Sequence, residues 1–267
     1  MSAPRSLKAR LTATAPSGTP LFGVFCSTPA PLTVELIAAA GYDFVVIDLE
    51  HTLLDGLTLN AMLLAARASG IAALVRTAAA HQIVQVLDAG AQGIVIPRVK
   101  SAHEARAAIA AAHHAPLGQR GLNATAASRF GRDDLANALA QAAADTLLVA
   151  MIEDGEGLAA LDEIAALEGI DVLLAGAADL SQAFGVPWQT GHAVVRDAVA
   201  CVSVAARRHG KTFCALPRNH EEIADMYRAG ARLAILGDDR GIARRALAAQ
   251  LQTCSQLQTC SLNENAP

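Results

Sequence analysis

The sequence predicts an α/β fold, a single-domain (β/α)8 TIM barrel. Three observations predict it. Short apolar runs alternate strictly with Ala- and Leu-rich stretches of helical period. Eight such pairs fit within 267 residues, and barrels of roughly 250 residues form one domain. The runs are apolar throughout, as parallel strands covered on both faces require. A doubly wound open sheet is the rival. It usually begins with a glycine-rich turn, and no G-x-G-x-x-G follows the first run.

The elements follow in order. Residues 1–19 carry Arg5, Lys8 and Arg10 without an acid. They weakly resemble a transit peptide but hold no apolar signal-type stretch, and they read as a basic first helix. The barrel is expected over 20–251. Leu21–Cys26 is the first strand, followed by a helix over Pro31–Ala40 that Gly41 ends. Phe44–Asp48 leads to Thr58–Ala68 and Gly70, and Ala72–Val75 to Gln82–Ala89 and Gly90. Such glycines are common helix C-caps. Gly93–Ile96 leads to Ala102–His113. The longest turn-rich connection comes next, with Pro116-Leu117-Gly118-Gln119-Arg120-Gly121-Leu122-Asn123 and a further helix near Asp133–Ala144. A long loop in a compact barrel is usually functional. Leu147–Ile152 pairs with Gly157–Leu167, and Val172–Ala175 with Ala193–His209. Thr212–Leu216 pairs with His220–Arg228, and Leu233–Gly237 with Ile242–Leu251. Residues 252–267 are expected to form a flexible tail, with LQTCS read twice at Leu251–Ser255 and Leu257–Ser261.

Composition excludes several functions. Apolar residues are 53% and charged residues 17%, which excludes a disordered chain. Aromatics are only 3%, so the core is aliphatic. A net charge of -4 argues against nucleic-acid binding, which needs a basic stripe to neutralise phosphates. Mean hydropathy is +0.33, but it comes mostly from alanine. Glu35, Asp43, Asp48 and Glu50 interrupt the apolar stretches before the ~18 to 20 residues of a membrane span. Five cysteines, none spaced C-x-x-C, argue against a disulfide framework or structural zinc and fit a reducing cytoplasm.

Barrel enzymes carry their chemistry at the C-terminal ends of the strands. The polar residues gather there. In strand order they are Asp48-Leu49-Glu50-His51, Arg76, Pro97-Arg98, Glu153-Asp154, Gly176-Ala177-Ala178-Asp179, Pro217-Arg218 and Asp238-Asp239-Arg240. The opposite ends carry at most one charge each: Asp43, Asp145, Asp171, Lys211 and Arg232. Glu153 and Asp179 offer two carboxylates from neighbouring strands without Cys or His, a donor set for Mg²⁺ or Mn²⁺. Helix capping is the alternative for both. His51 is a candidate general acid/base. Asp88 opposes the dipole of the helix it ends, so it either orients a partner such as His51 or sits at a solvated helix end. Arg76 ends a buried strand and needs an anion, either a substrate oxygen or a barrel acid. Ala177, Ala178 and Asp179 present backbone N–H groups where a short helix starts, a place for a carboxylate. Only three lysines occur (Lys8, Lys100 and Lys211) and none ends a middle strand, so carbonyl activation by a metal is favoured over an imine.

From about Pro20 to Leu251 these motifs resemble the HpcH/HpaI aldolase family, metal-dependent pyruvate-type aldolases related to citrate lyase β subunits. The resemblance rests on Asp48-Leu49-Glu50-His51, Arg76, Val86-Leu87-Asp88-Ala89-Gly90-Ala91-Gln92, Pro116 to Gly121, Glu153 and Gly176-Ala177-Ala178-Asp179-Leu180-Ser181. It implies a (β/α)8 barrel, often a hexamer with swapped last helices. It implies Glu153 and Asp179 as ligands of a divalent metal that chelates pyruvate or oxaloacetate. Arg76 would stabilise the enolate, and the backbone of Ala178 and Asp179 would hold the substrate carboxylate. His51, paired with Asp88, would be the acid/base. The implied reaction is reversible aldol cleavage of a 4-hydroxy-2-oxo acid.

The departures matter. The aldolases usually have Gly-Pro-Ala-Asp where Gly176 to Asp179 stands, and often Gln where Met151 stands. The long loop is less glycine-rich here, and Leu236 to Gly241 is richer in charge. The citrate synthases of siderophore biosynthesis, one branch of the family, look similar at these places. They condense oxaloacetate with acetyl-CoA. Arg76, Arg120, Arg218 or Arg240 would then meet extra carboxylates or the CoA phosphates. A non-catalytic keto-acid-binding barrel is the reading from another class. Every expected catalytic group is present, which argues against it.

Overall fold

The computed structural model describes residues 6–13, 18–126 and 128–263, with 255–263 described by their backbone alone. After helix α1 (Leu7–Ala13), strands and helices alternate: β1 (Leu21–Cys26), α2 (Pro31–Ala39), β2 (Phe44–Asp48), α3 (Gly56–Ser69), β3 (Ala72–Arg76), α4 (Gln82–Asp88), β4 (Gly93–Ile96) and α5 (Ala102–Ala112). Then come α6 (Leu135–Asp145), β5 (Leu147–Ile152), α7 (Gly155–Ala159), α8 (Leu161–Ala165), β6 (Val172–Ala175), α9 (Ala177–Ala183), α10 (Ala193–Arg208), β7 (Thr212–Ala215), α11 (His220–Arg228), β8 (Leu233–Asp238) and α12 (Asp239–Asn263). The strands form one closed parallel barrel in chain order, β8 pairing with β1.

Alternation along each strand sorts the aliphatic side chains into two layers. Phe44, Val46, Ala72, Leu74, Val149, Met151, Val172 and Leu174 fill the barrel interior. Val45, Ile47, Ala73, Val75, Ala150, Ile152 and Leu173 pack outward with the helices. Phe44 supplies the bulk that few aromatics leave to others, and Gly23 makes room for it. A Cβ at Gly23 would stand 2.3 Å from the buried Phe44 ring.

The helix caps follow the local sequence. Asp55 accepts from the Leu57 and Thr58 amides at the start of α3, and Ser101 from Glu104 at the start of α5. Gly70, at φ 71, closes α3 in a left-handed turn that a side chain would disfavour.

Helix α1 covers the N-terminal end of the barrel. Leu7 and Leu11 are buried with the interior side chains. Lys8 pairs with Asp171 at 2.8 Å, and Arg10 with Asp43. The few acids at that end therefore anchor the basic segment. Residues 1–5 and 14–17 of the expected extension lie outside the described residues.

Two elements differ from the sequence reading. The helix expected over Gly157–Leu167 is two short helices, α7 and α8, separated at Ala160. The last helix starts earlier and runs to Asn263, because neither glycine nor proline interrupts Ile242 to Asn263. Positions 252–263, expected as a tail, are thus helical, and 264–267 lie outside the described residues.

Candidate active site

The C-terminal ends of the strands gather a cluster of carboxylates around Arg76. Register places Asp48 beside Arg76 on adjacent strands. Asp48 accepts from Arg76 Nε and Nη2 at 2.8 Å each, a two-pronged bond that fixes the guanidinium plane. Phe25 lies under the guanidinium, 4.5 Å from Cζ to the ring centroid. Burial pulls Arg76 down, but the bonds and charge of Asp48, with Glu50 and Glu153, outweigh it and raise its pKa. The barrel acid considered as an alternative partner for Arg76 is therefore real. It is Asp48, and it leaves Nη1 turned toward Glu50 at 3.1 Å.

Glu50 Oε2 is buried near Arg76 Nη1 but off the hydrogen-bond direction, and no hydrogen-bond partner meets it among the described residues. His51 Nε2 stands 3.8 Å from it, with the ring mostly exposed. Thus His51 is at the catalytic end, reachable from solvent.

Glu153 follows β5 and is 3% exposed. Burial first, then the charges of Asp179 and Glu50, push its carboxyl from 4.5 to about 7, against lowering by the Arg98 amide and Arg76. The Arg98 N–H donates to Glu153 Oε2 at 2.8 Å. Arg98 adopts φ 51, a left-handed conformation uncommon for such a residue, which turns its amide to the carboxylate. Gly176 lies against the same carboxylate, where a Cβ would come within 2.5 Å of Glu153 Cγ and Oε1.

Asp179 sits in the first turn of α9, as the short-helix reading expected, with Ala178 beside it. Arg98 Nη1 is 3.9 Å from Asp179 Oδ1. Buried Ser181 donates to the Ala178 carbonyl at 2.5 Å and accepts the Trp188 amide at 2.9 Å. That hydroxyl ties the Ala178–Asp179 turn to the following loop.

Other charges at this end hold structure. Asp239 accepts the Ser27 and Thr28 amides at 2.7 and 3.2 Å, joining the end of β8 to that of β1. Arg240 donates to the Ser27 carbonyl. Asp154 caps α7 through the Gly157 amide. Asp238 accepts from Gly241 N at 2.7 Å.

Asp88 and Arg120 fall elsewhere. Strands run toward the catalytic end and the following helices run back, so the C-terminus of α4 lies at the opposite end. There Asp88 Oδ1 accepts from Arg120 Nη2 at 2.6 Å and Nε at 3.2 Å. The 113–134 connection belongs to that end too, with His114 Nδ1 3.0 Å from the Arg120 carbonyl oxygen. Within one chain, then, the Asp88–His51 pair is not formed, and Arg120 does not reach the Glu153 cluster. The family resemblance places both near the chemistry, whereas the strand–helix order puts the end of α4 at the other end of the barrel.

Asp48 and the Arg98 amide were not foreseen as functional. Asp48 carried a signal, a charge closing an apolar run. Arg98 carried none beyond its place in the polar group after β4.

A family model described as HpcH/HpaI aldolase/citrate lyase matches residues 21–246. The chain belongs to this family. A hydroxypyruvate/pyruvate aldolase of Sagittula stellata is 32% identical over 91% of this chain and 96% of its own. A pyruvate aldolase of Rhizobium etli is 35% identical over 73% of this chain and 78% of its own. The crystal structure of the citrate synthase SbnG superposes with a TM-score of 0.86 at 42% identity, covering 95% of this chain and 99% of that one. No helix among the described residues is long and apolar enough to cross a membrane.

Proposed function

We propose that the protein is a metal-dependent carbon–carbon bond enzyme acting on pyruvate or oxaloacetate, with reversible aldol cleavage of a 4-hydroxy-2-oxo acid as its main reaction. The observation that carries the reading is the meeting of Glu153, Asp179 and Arg76 at one barrel end, in a chain of this family.

The donor set fits Mg²⁺ or Mn²⁺. The charges of Asp179 and Glu50 raise the cost of ionising buried Glu153, and Glu50 Oε2 lacks a hydrogen bond among the described residues, so a cation is favoured. Two protein carboxylates fill only part of the oxygen shell that such an ion takes, which leaves positions for substrate and water. Glu153 and Asp179 would hold the ion, and it would polarise the keto and carboxylate oxygens of the substrate. Arg76, locked by Asp48, sets a fixed positive charge where the enolate oxygen develops. One well-placed donor in such a site is worth roughly 3 to 4 kcal/mol. The Ala178 and Asp179 amides in the first turn of α9 receive the substrate carboxylate. In the synthetic direction the pyruvate methyl group loses a proton to a base, and its carbon bonds to the aldehyde carbonyl carbon. The new alkoxide takes up a proton. His51 is the acid/base for these transfers.

One chain holds His51 and Asp88 at opposite barrel ends, so a pair between them would form only between two copies of the chain. The proposed working form is a homo-oligomer, a hexamer by the family resemblance. Free thiols at Cys26, Cys201, Cys214 and Cys254 fit a cytoplasmic protein.

The test is proton NMR of pyruvate in D₂O, with Mg²⁺ and then EDTA. Metal-dependent loss of the methyl signal is expected. No exchange by folded, metal-loaded protein rejects pyruvate enolisation. The likeness to SbnG favours a second reading, condensation of oxaloacetate with acetyl-CoA. Release of CoA thiol from that pair would establish it.

A further inference from the structure

We infer that Arg218, resting on Trp188, selects a second reactant whose far end is an anion. The inference depends on the carbon–carbon reading of the same site and adds the chemical class of the partner substrate.

The two residues stand on neighbouring loops at the catalytic end. Adjacent strands β6 and β7 lead into them, with Leu174 beside Cys214 in register. Trp188 follows α9 and Arg218 follows β7. The Arg218 guanidinium lies over the indole, 5.5 Å from its centroid. Both side chains are solvent-exposed, Trp188 at 78%. A large apolar ring held in water at this end of the barrel needs an explanation beyond the core.

The ring is placed, not loose. Trp188 adopts φ 64, and its amide is fastened to the buried Ser181 hydroxyl at 2.9 Å. That hydroxyl also binds the carbonyl of Ala178, next to Asp179. One buried oxygen therefore couples the position of the indole to the turn proposed to hold the metal and the keto acid. Arg218 is positioned from its backbone too, its N–H donating to Glu222 Oε2 at 2.8 Å.

The other guanidiniums at this end are engaged. Arg76 is clamped by Asp48, Arg98 faces Asp179 and Arg240 donates to a carbonyl. Arg218 makes no side-chain ion pair among the described residues. Stacking on the indole orders its planar fork while leaving its N–H donors for a ligand. Carboxylate and phosphate oxygens match that fork. A partner that reacts with a keto acid held at Asp179 and ends in an anion would find Arg218 on the adjoining loop, tied to the Ala178–Asp179 turn through Trp188 and Ser181.

Two arms separate the sources of that anion. In one, pyruvate is offered succinic semialdehyde or butanal. In the other, oxaloacetate is offered acetyl-CoA or acetylpantetheine. The readout is the ratio of kcat/KM for the charged over the neutral partner. The wild type is expected to favour the charged partner in one arm, which identifies carboxylate or phosphate. Arg218→Gln is expected to lower that ratio about tenfold or more, mainly through KM. Arg218→Lys recovers part of it, and Trp188→Leu lowers it less than Arg218→Gln. A wild type without preference in either arm, or a ratio unchanged in Arg218→Gln, overturns the inference. Pyruvate methyl exchange by the wild type is followed alongside. Its absence together with no release of CoA thiol from oxaloacetate and acetyl-CoA rejects the carbon–carbon reading, whereas turnover in either arm with an unchanged ratio rejects the role of Arg218 alone.

Discussion

In the proposed site Glu153 joins the barrel to the chemistry through one carboxyl group. Its pKa in the folded chain is raised from 4.5 to about 7, chiefly by burial. Ionising this buried acid costs the folded state, so its own contribution to the stability of metal-free protein is greatest below the unfolded pKa. That stability is lost as pH rises from about 4.5 to about 7, by on the order of 3 kcal/mol. Denaturant unfolding of EDTA-treated protein at pH 5 and pH 8 should show this loss, and Glu153→Gln should lack it. Mg²⁺ should restore stability at pH 8 and much less at pH 5, where the carboxyl is neutral. Equal pH dependence in wild type and variant would count against the assignment. Arg76 makes the companion case. Asp48 is a positioning residue that acts through Arg76. Asp48→Asn keeps the shape but removes the charge, so kcat should fall roughly tenfold with little change in KM, against roughly a hundredfold or more for Arg76→Ala. A rise in KM alone would assign Asp48 to substrate binding. The place of Glu153 and Arg76 at this barrel end was legible because charge at the end of an apolar strand is rare. The Arg98 amide was not legible, since a backbone donor turned by a positive φ leaves no mark in residue type.

The strands were legible almost residue by residue, because parallel strands buried on both faces admit few polar side chains. Their ends shifted by a residue or two, as where Arg76 belongs to β3 itself. Helices were less legible where periodicity continues through a break. The α7–α8 separation at Ala160 falls inside one apolar pattern, and α12 continues where the pattern weakens. The short turn from β6 into α9 shows what an element contributes to the site. Gly176 there has φ -85, a conformation open to any residue, so its need is space and not backbone freedom. Gly176→Ala should keep the fold but push the Glu153 carboxylate away, because Cγ and Oε1 lie 2.5 Å from the new methyl. Mg²⁺ affinity by titration calorimetry should fall about tenfold or more, since disturbing the groups that orient a metal ligand typically costs roughly 10- to 100-fold. Unchanged affinity would mean that Glu153 yields freely or does not hold the ion.

Closure of the barrel uses both ends of the chain. Helix α1 seals the N-terminal end through Leu7 and Leu11, and Asp239 fastens β8 to the loop after β1 at the other. This division sorts the expected site residues into two groups. Glu153, Asp179, Arg76 and His51 are at the catalytic end, while Asp88 and Arg120 are bonded to each other at the sealed end. No movement of one chain short of unfolding brings Asp88 to His51, because the length of the barrel separates them. If the pair operates, it forms where the sealed end of one copy meets the catalytic end of another. The arrangement predicts complementation. His51→Ala and Asp88→Asn proteins should each lose most turnover, and subunit exchange between them should restore part of it. The mixed oligomer rebuilds sites in which one chain supplies His51 and the other Asp88. Asp88→Asn keeps the shape beside the buried Arg120, and its unfolding curve, measured in parallel, separates lost catalysis from lost structure. Recovery on mixing, absent when either variant is mixed with itself, would place the pair across a subunit boundary. Full activity of Asp88→Asn alone would remove Asp88 from the mechanism and leave it as the partner that keeps Arg120 buried.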